Sequence, residues 1–361
     1  MKYEIGILGG GFTGLLLAQR MRAIGIRVVC FRHTGDVREQ SQHCQGILHT
    51  GLKYLDMPTN SRLKARLRVS QEIWRREYLA ENGVFSVPRN CIRRVSYLFH
   101  DCTTSRLSDF LSIAHDHAVA ARAALSGNCN RWSTLGFHGA VVETSETALD
   151  TSIFREHTRS GIDDQLASPD GWRAASRLPG GYVVFSNELT VECDYLIVAA
   201  GAQTSQICAD LGMNVRTKRR PIRSASVSRM PFPTTLHIFR PNDVRPYITI
   251  SSALKIEGWV WSVGGELMSS CTNPDVLQEL LAFFPNLDLR HAQCKIDVLD
   301  RIEPDDGRPD VAEDGLLATS DGLLACIPTK MTLIPTFFEP IVRSYQLHQQ
   351  NRSASCSRTR P

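Results

Sequence analysis

No apolar run in this 361-residue chain reaches the ~18 residues that cross a bilayer as a helix, so no transmembrane segment is expected. No basic stretch followed by an apolar core and a cleavage site opens the chain. Met1-Lys2-Tyr3-Glu4 runs straight into an apolar strand pattern, and no secretory signal is expected. Charge of neither sign dominates: 41 Lys and Arg face 37 Asp and Glu, and a net charge of +4 is too weak to argue for nucleic acid. The 11 cysteines contain no CxxC pair, which leaves zinc ribbons and thioredoxin-like motifs unsupported. An odd cysteine count without a signal fits reduced thiols and a cytoplasmic protein. Cys30 and Cys326 lie in apolar runs and are read as small core residues. There is no internal repeat. Hydrophobic residues at 42% and charged residues at 22% are ordinary globular usage, which excludes a disordered, collagenous or coiled-coil chain.

What is present starts at residue 3. Residues 3–9 read as a short buried strand, 12–25 as a helix ending at Gly25, and 26–31 as a second strand, a β-α-β unit of roughly thirty residues. Further helices are expected over 61–82, 107–125, 151–159 and 337–350. Strands are expected over 91–100, 140–143, 182–185 and 194–201, and 216–300 alternates β-like runs with Pro-rich turns. Residues 126–138 read as a surface loop, 163–178 as a polar stretch of weak pattern, and 351–361 as a frayed tail.

The glycines carry the sharpest signal. Gly9, Gly11 and Gly14 satisfy GxGxxG between the first strand and the first helix. There Gly9 permits the tight turn, Gly11 lets a pyrophosphate approach the backbone, and Gly14 lets helix and strand pack closely. The anion then rests on the N–H groups of Phe12, Thr13 and Gly14 at the positive end of the helix. One position departs from the fingerprint. The second strand ends in Arg32, which cannot accept hydrogen bonds from ribose hydroxyls. It can stack on adenine, pair with a 2′-phosphate or face solvent, so NADP and FAD both stay open at this position.

The segment Ser41-Gln42-His43-Cys44-Gln45-Gly46-Ile47-Leu48-His49-Thr50-Gly51-Leu52-Lys53-Tyr54-Leu55 resembles the flavin-contacting stretch of the FAD-dependent D-amino-acid-oxidase superfamily. It is most similar to the glycerol-3-phosphate dehydrogenase and L-2-hydroxyglutarate dehydrogenase branches. Leu196 to Thr204, a strand ending in Ala199-Ala200-Gly201, and the Arg301 to Pro309 segment resemble the same family. The resemblance implies an α/β fold: a Rossmann-like FAD-binding domain of the glutathione-reductase type, with an interleaved α+β substrate domain on a largely antiparallel sheet. The FAD-binding domain would take 1–85, 140–212 and 301–350, the substrate domain 86–139 and 213–300, with the ligand between them. Ser41 and Gln42 would lie near the cofactor phosphates. Gly46 and Leu48 would pass along the isoalloxazine, and Ala200 and Gly201 would pack under FAD. Family members close the flavin site with a Gly-rich loop after the last strand. Here Pro328-Thr329-Lys330-Met331-Thr332 stands instead, and Thr329, Lys330 and Thr332 are the expected contacts to the flavin pyrimidine edge.

The resemblance implies oxidation of a C–H beside a hydroxyl or amine, with hydride passing to flavin N5. CH–OH is favoured, an amino-acid or amine oxidase is the alternative, and an NADP-dependent reductase or a non-catalytic relative stands further off. His49 is the candidate proton acceptor. Arg245 and Tyr247 are candidates for binding a substrate carboxylate, an Arg supplying a fork and a Tyr a donor. No metal is expected. The partners expected are a small anionic substrate and an electron acceptor, whether oxygen, a quinone or an electron-transfer protein. The helix at 61–82 carries Arg62, Lys64, Arg66 and Arg68, which suit peripheral contact with an anionic membrane face, although Glu72, Glu77 and Glu81 dilute that signal.

Overall fold

Strands buried on both faces need apolar residues at every position, and strands buried on one face need alternation. Both patterns occur, each in its own compact unit. A computed structural model describes residues 1–33, 41, 44–53, 61–125, 130–162, 166–186, 189–243, 245–269, 271–305 and 315–358. The first unit comprises 1–42, 155–220 and 300–361, and the second 43–154 and 221–299. These boundaries fall elsewhere than the sequence suggested: residues 43–85 and 140–154 join the second unit. The short strand Ile47–Leu48 pairs with Ala148 and Thr147 of that unit's sheet, which draws its flanks along.

In the first unit the strand Lys2–Leu8 is central. It runs parallel to Val28–His33 on one side, with Ile7 opposite Cys30, and to Thr190–Val198 on the other, with Leu8 opposite Val198. Leu323–Ile327 continues the parallel sheet beyond Thr190–Val198. Ile5, Ile7, Val28, Cys30, Leu196, Ile197 and Val198 are all fully buried, as two-sided burial requires. Cys326 is buried as well. The helix Phe12–Ala23 joins the first two strands. Leu166–Leu178 and Gly181–Ser186 form a hairpin attached to this sheet.

Two expectations are corrected here. The polar stretch 163–178 contains the strand Leu166–Leu178. Arg173, Ala174, Ser176 and Arg177 are exposed on it, so no apolar alternation marks it. The expected tail is helical to Arg358, in a helix starting at Phe338. Arg352 pairs with Asp194 at 2.9 Å and fastens that helix to the sheet.

The second unit is built on a sheet ordered Cys294–Pro304, Thr217–Met230, Gly258–Gly264, Ile248–Lys255, Leu236–Phe239, Ile92–His100, Gly139–Leu149, Ile47–Leu48, with Ala121–Leu125 paired to Gly139–Leu149. Pairing is antiparallel at its centre except between Leu236–Phe239 and Ile92–His100. Alternation sorts the side chains. Leu98, Val141, Leu236, Ile238 and Trp261 pack with Val276, Leu280 and Phe283 of the helix Asn273–Phe283. Val95, Tyr97, Phe99, Val142 and Phe239 pack with Phe110 and Ala114 of the helix Thr104–Asp116. The helix expected over 107–125 therefore stops at Asp116, and Ala121–Leu125 is a strand. Within the expected loop 126–138, Asn130–Thr134 is a helical turn. The helix beginning at Ser61 is α-helical to Trp74 and widens to a π turn over Arg75–Leu79.

Candidate active site

In the first unit the strand Lys2–Leu8 delivers Gly9 at φ +135°, a conformation open to glycine and costly for other residues. A Cβ on Gly9 would overlap the carbonyl oxygen of Ala199 and stand 2.6 Å from its carbon. A Cβ on Gly14 would overlap the carbonyl oxygen of Gly9. The first glycine turn and the Ala199-Ala200 strand end, two separate signals in the sequence, thus form one wall. Gly9 N–H donates to Phe31 at 2.9 Å, and Ala199 N–H donates to Leu8 at 2.8 Å. Gly201, at φ +54°, opens the next turn with no atom within 4 Å of its Cβ position.

The helix at this turn has no acidic residue in its first turn, and Gly11 contributes no side-chain cap. Phe12 N–H donates instead to the Ser41 hydroxyl at 3.1 Å. Arg32 is exposed at the end of the second strand, its Cβ 3.0 Å from the Cβ position of Gly10. Helix N–H groups and a hydroxyl beside close backbone are donors of the kind a pyrophosphate can take. Gln42 lies outside the described residues.

The segment Pro328 to Thr332 is held by charge. Thr329 and Thr332 are buried, and Lys330 precedes the 3₁₀ helix Met331–Phe337. Arg301 donates to the carbonyl of Thr329 at 2.7 Å and lies 3.1 Å from the wholly buried Glu303, which Arg220 approaches to 3.8 Å. The helix Phe12–Ala23 packs on Met331–Phe337, and the Arg20 guanidinium stands 4.8 Å from the Phe338 ring.

In the second unit, His49 sits on a turn fixed from several sides. A Cβ on Gly46 would overlap the carbonyl oxygen of Leu149, so the chain lies directly on the next strand. Gln71 donates to the carbonyl of Leu48 at 2.5 Å. Thr50 gives both its N–H, at 2.7 Å, and its hydroxyl, at 2.8 Å, to Glu146. The Tyr97 hydroxyl donates to the other oxygen of that carboxyl at 2.5 Å. Glu146 is 2% exposed. Burial pushes its carboxyl above the usual range, against the lowering effect of Thr50, Tyr97 and the charge of Lys53. Lys53 Nζ lies 3.1 Å from His49 Nε2. His237 lies behind, its ring 6.2 Å from that of His49. Its Nδ1 is 2.9 Å from the Thr249 hydroxyl. Complete burial, and secondly the charge of Lys53, hold His237 well below the ordinary histidine value, so it is neutral.

Arg245 is exposed. Tyr247 lies under the Arg240 guanidinium, 3.3 Å from its ring centroid, and its hydroxyl bonds Glu279. Burial and Glu279 push that hydroxyl above its usual value. Trp261 is core, and its indole N–H donates to Phe232 at 2.9 Å. Among the described residues no group of three His, Cys, Asp or Glu side chains could hold a metal ion, and no helix is long and apolar enough to cross a membrane.

Glu146, Tyr97 and His237 were missed from sequence. They lie 48 to 188 residues from His49, and only strand pairing brings them near. Lys53 was within reach, four residues after His49 in the same turn.

A family model described as FAD dependent oxidoreductase, DAO, matches residues 4–323. The probable FAD-dependent oxidoreductase PA4991 of Pseudomonas aeruginosa is 25% identical over 356 residues, covering 94% of this chain and 89% of its own. The crystal structure of PA4991 superposes with a TM-score of 0.73 at 20% identity, covering 96% of this chain and 91% of that one. L-α-glycerophosphate oxidase of Mycoplasma pneumoniae with FAD bound gives 0.66 at 14% identity, over 96% and 95%. Glycine oxidase of Geobacillus kaustophilus gives 0.62 at 15%, also over 96% and 95%.

Proposed function

The chain belongs to the DAO family of FAD-dependent oxidoreductases, and on that premise we propose that it oxidises a carbon bearing a hydroxyl or amine on a small anionic substrate. Its cofactor is FAD, which when bound supplies a hydride acceptor at flavin N5. In the first unit, Gly9, Gly11 and Gly14 give the phosphates access to the backbone; Phe12 N–H holds the Ser41 hydroxyl, which with Thr13 and Arg32 presents donors to them. Ala200 and Gly201 leave room for the cofactor beside that turn. Thr329, Lys330 and Thr332 serve the flavin pyrimidine edge.

In the second unit His49 takes the substrate proton. The observation that carries this reading is the locked turn: Glu146 fixes Thr50 through two hydrogen bonds, and the adjacent imidazole stands beside the Lys53 amine nitrogen. A base held in one place takes a proton without first being ordered. The ammonium of Lys53 attracts an anionic substrate and repels an ammonium group, which favours CH–OH over CH–NH. L-α-Glycerophosphate oxidase and glycine oxidase among the similar structures represent the two substrate types by name. Arg245 is the proposed partner of a carboxylate. Tyr247 serves the same group once its hydroxyl leaves Glu279.

The test is anaerobic bleaching of the bound flavin by 2-hydroxy acids and by amino acids, with His49→Gln beside the wild type. A general base contributes about 10²–10⁴-fold, and bleaching slowed within that range is expected. Bleaching at the wild-type rate in His49→Gln overturns the assignment.

A further inference from the structure

Resting on the assignment of His49 as proton acceptor, we propose that Lys53 is its positioning residue: the ammonium group, set 3.1 Å from Nε2, donates to that nitrogen and holds the resting imidazole neutral, with its own proton on Nδ1.

An ammonium has three donors and no acceptor. A hydrogen bond at this distance therefore requires a lone pair on His49 Nε2, which a protonated ring lacks. Protonating the ring would place two like charges in contact, and a like charge disfavours the charged form of its neighbour. The backbone on either side of His49 is held in place. Ile47 and Leu48 are paired in the sheet, Gln71 holds the Leu48 carbonyl, and Glu146 holds both donors of Thr50.

The other titratable groups around this turn are few among the described residues. From the strand Gly139–Leu149 comes Glu146, which favours a cation and is already engaged by Thr50 and Tyr97. From Ile92–His100 comes the Tyr97 hydroxyl, spent on Glu146. From Leu236–Phe239 comes His237, neutral in its buried site. Behind the helix Thr104–Asp116, His117 Nδ1 lies 3.3 Å from the carbonyl of Thr50. Within this set Lys53 is the cation at hydrogen-bond distance from the His49 ring.

The experiment uses FAD-loaded protein with ¹⁵N-labelled histidine, followed by NMR across a pH titration. The His49 signals are those lost in His49→Gln. In Lys53→Met the His49 midpoint moves up by about one pH unit or more relative to wild type, the shift expected for removing an adjacent like charge. Lys53→Arg, which keeps the cation, stays near wild type. Equal midpoints in wild type and Lys53→Met, or a lower one in the variant, overturn the proposal. If Lys53→Met does not fold, Lys53→Gln is held to the same upward shift. Failure of the His49 assignment reads differently: flavin bleaching in His49→Gln is then unslowed, whatever the midpoints show.

Discussion

Gly9 and Ala199 meet backbone to backbone, so that a Cβ on Gly9 would stand 2.6 Å from the Ala199 carbonyl carbon and overlap its oxygen. The contact ties the glycine turn to the neighbouring strand end and fixes the spacing between them.

Gly9→Ala is therefore expected to disrupt the turn. The added methyl meets backbone, which cannot rotate away, and the residue is forced to a positive φ. Loss of bound FAD is expected, with a stability loss of about 2–3 kcal/mol from overpacking and strain combined. Gly201→Ala provides the contrast. It bears only the left-handed strain, of about 1 kcal/mol, because nothing lies within 4 Å. Flavin absorbance per chain and urea denaturation measure both.

Glu146 organises the His49 turn from a distant strand. Glu146→Ala leaves two donors of Thr50 and the Tyr97 hydroxyl without their acceptor in a buried site. A loss of about 2–3 kcal/mol is expected, and about 1 kcal/mol for Tyr97→Phe, which removes one bond and strands no donor. Thermal denaturation of the two variants gives the ranking.

Burial holds His237 below its unfolded value, which sets the sign of a pH effect. The unfolded chain binds a proton at this site at a pH where the folded chain does not. Stability is then fully present above the ordinary histidine value of 6.5 and falls as pH drops below it. Urea midpoints measured across that window should decline toward acid. His237→Asn should flatten that decline, and an unchanged slope in the variant would contradict it.

Glu303 is wholly buried between Arg301 and Arg220. Arg301→Met leaves that charge without its nearest partner and releases the Thr329 carbonyl. A loss of about 3–5 kcal/mol is expected for breaking a buried pair from one side. Weaker retention of FAD accompanies it, measured by flavin release on dilution.

The parallel sheet was legible because its strands are short apolar runs punctuated by glycine, as in Ile5 to Gly9 and Leu196 to Gly201. Ser41 could be placed near the glycine turn only through family likeness, since nothing local predicts that its hydroxyl accepts from Phe12. The strand Leu166–Leu178 stayed hidden because its exposed side chains carry no alternation. Ala121–Leu125 was hidden by four alanines and leucines that suit a helix equally well. The helix to Arg358 rests on a contact between Arg352 and Asp194, 158 residues away. The Glu146–Thr50 and His49–His237 relationships arise from strand register, which periodicity alone does not reveal.

The most direct measurement is anaerobic reduction of the FAD-loaded protein by a panel of 2-hydroxy acids and amino acids, in wild type and His49→Gln. Bleaching by at least one anionic member, slowed about 10²-fold or more in the variant, is the predicted result. A flavin that dithionite reduces but no member of the panel does, or one reduced equally fast in both proteins, would contradict it.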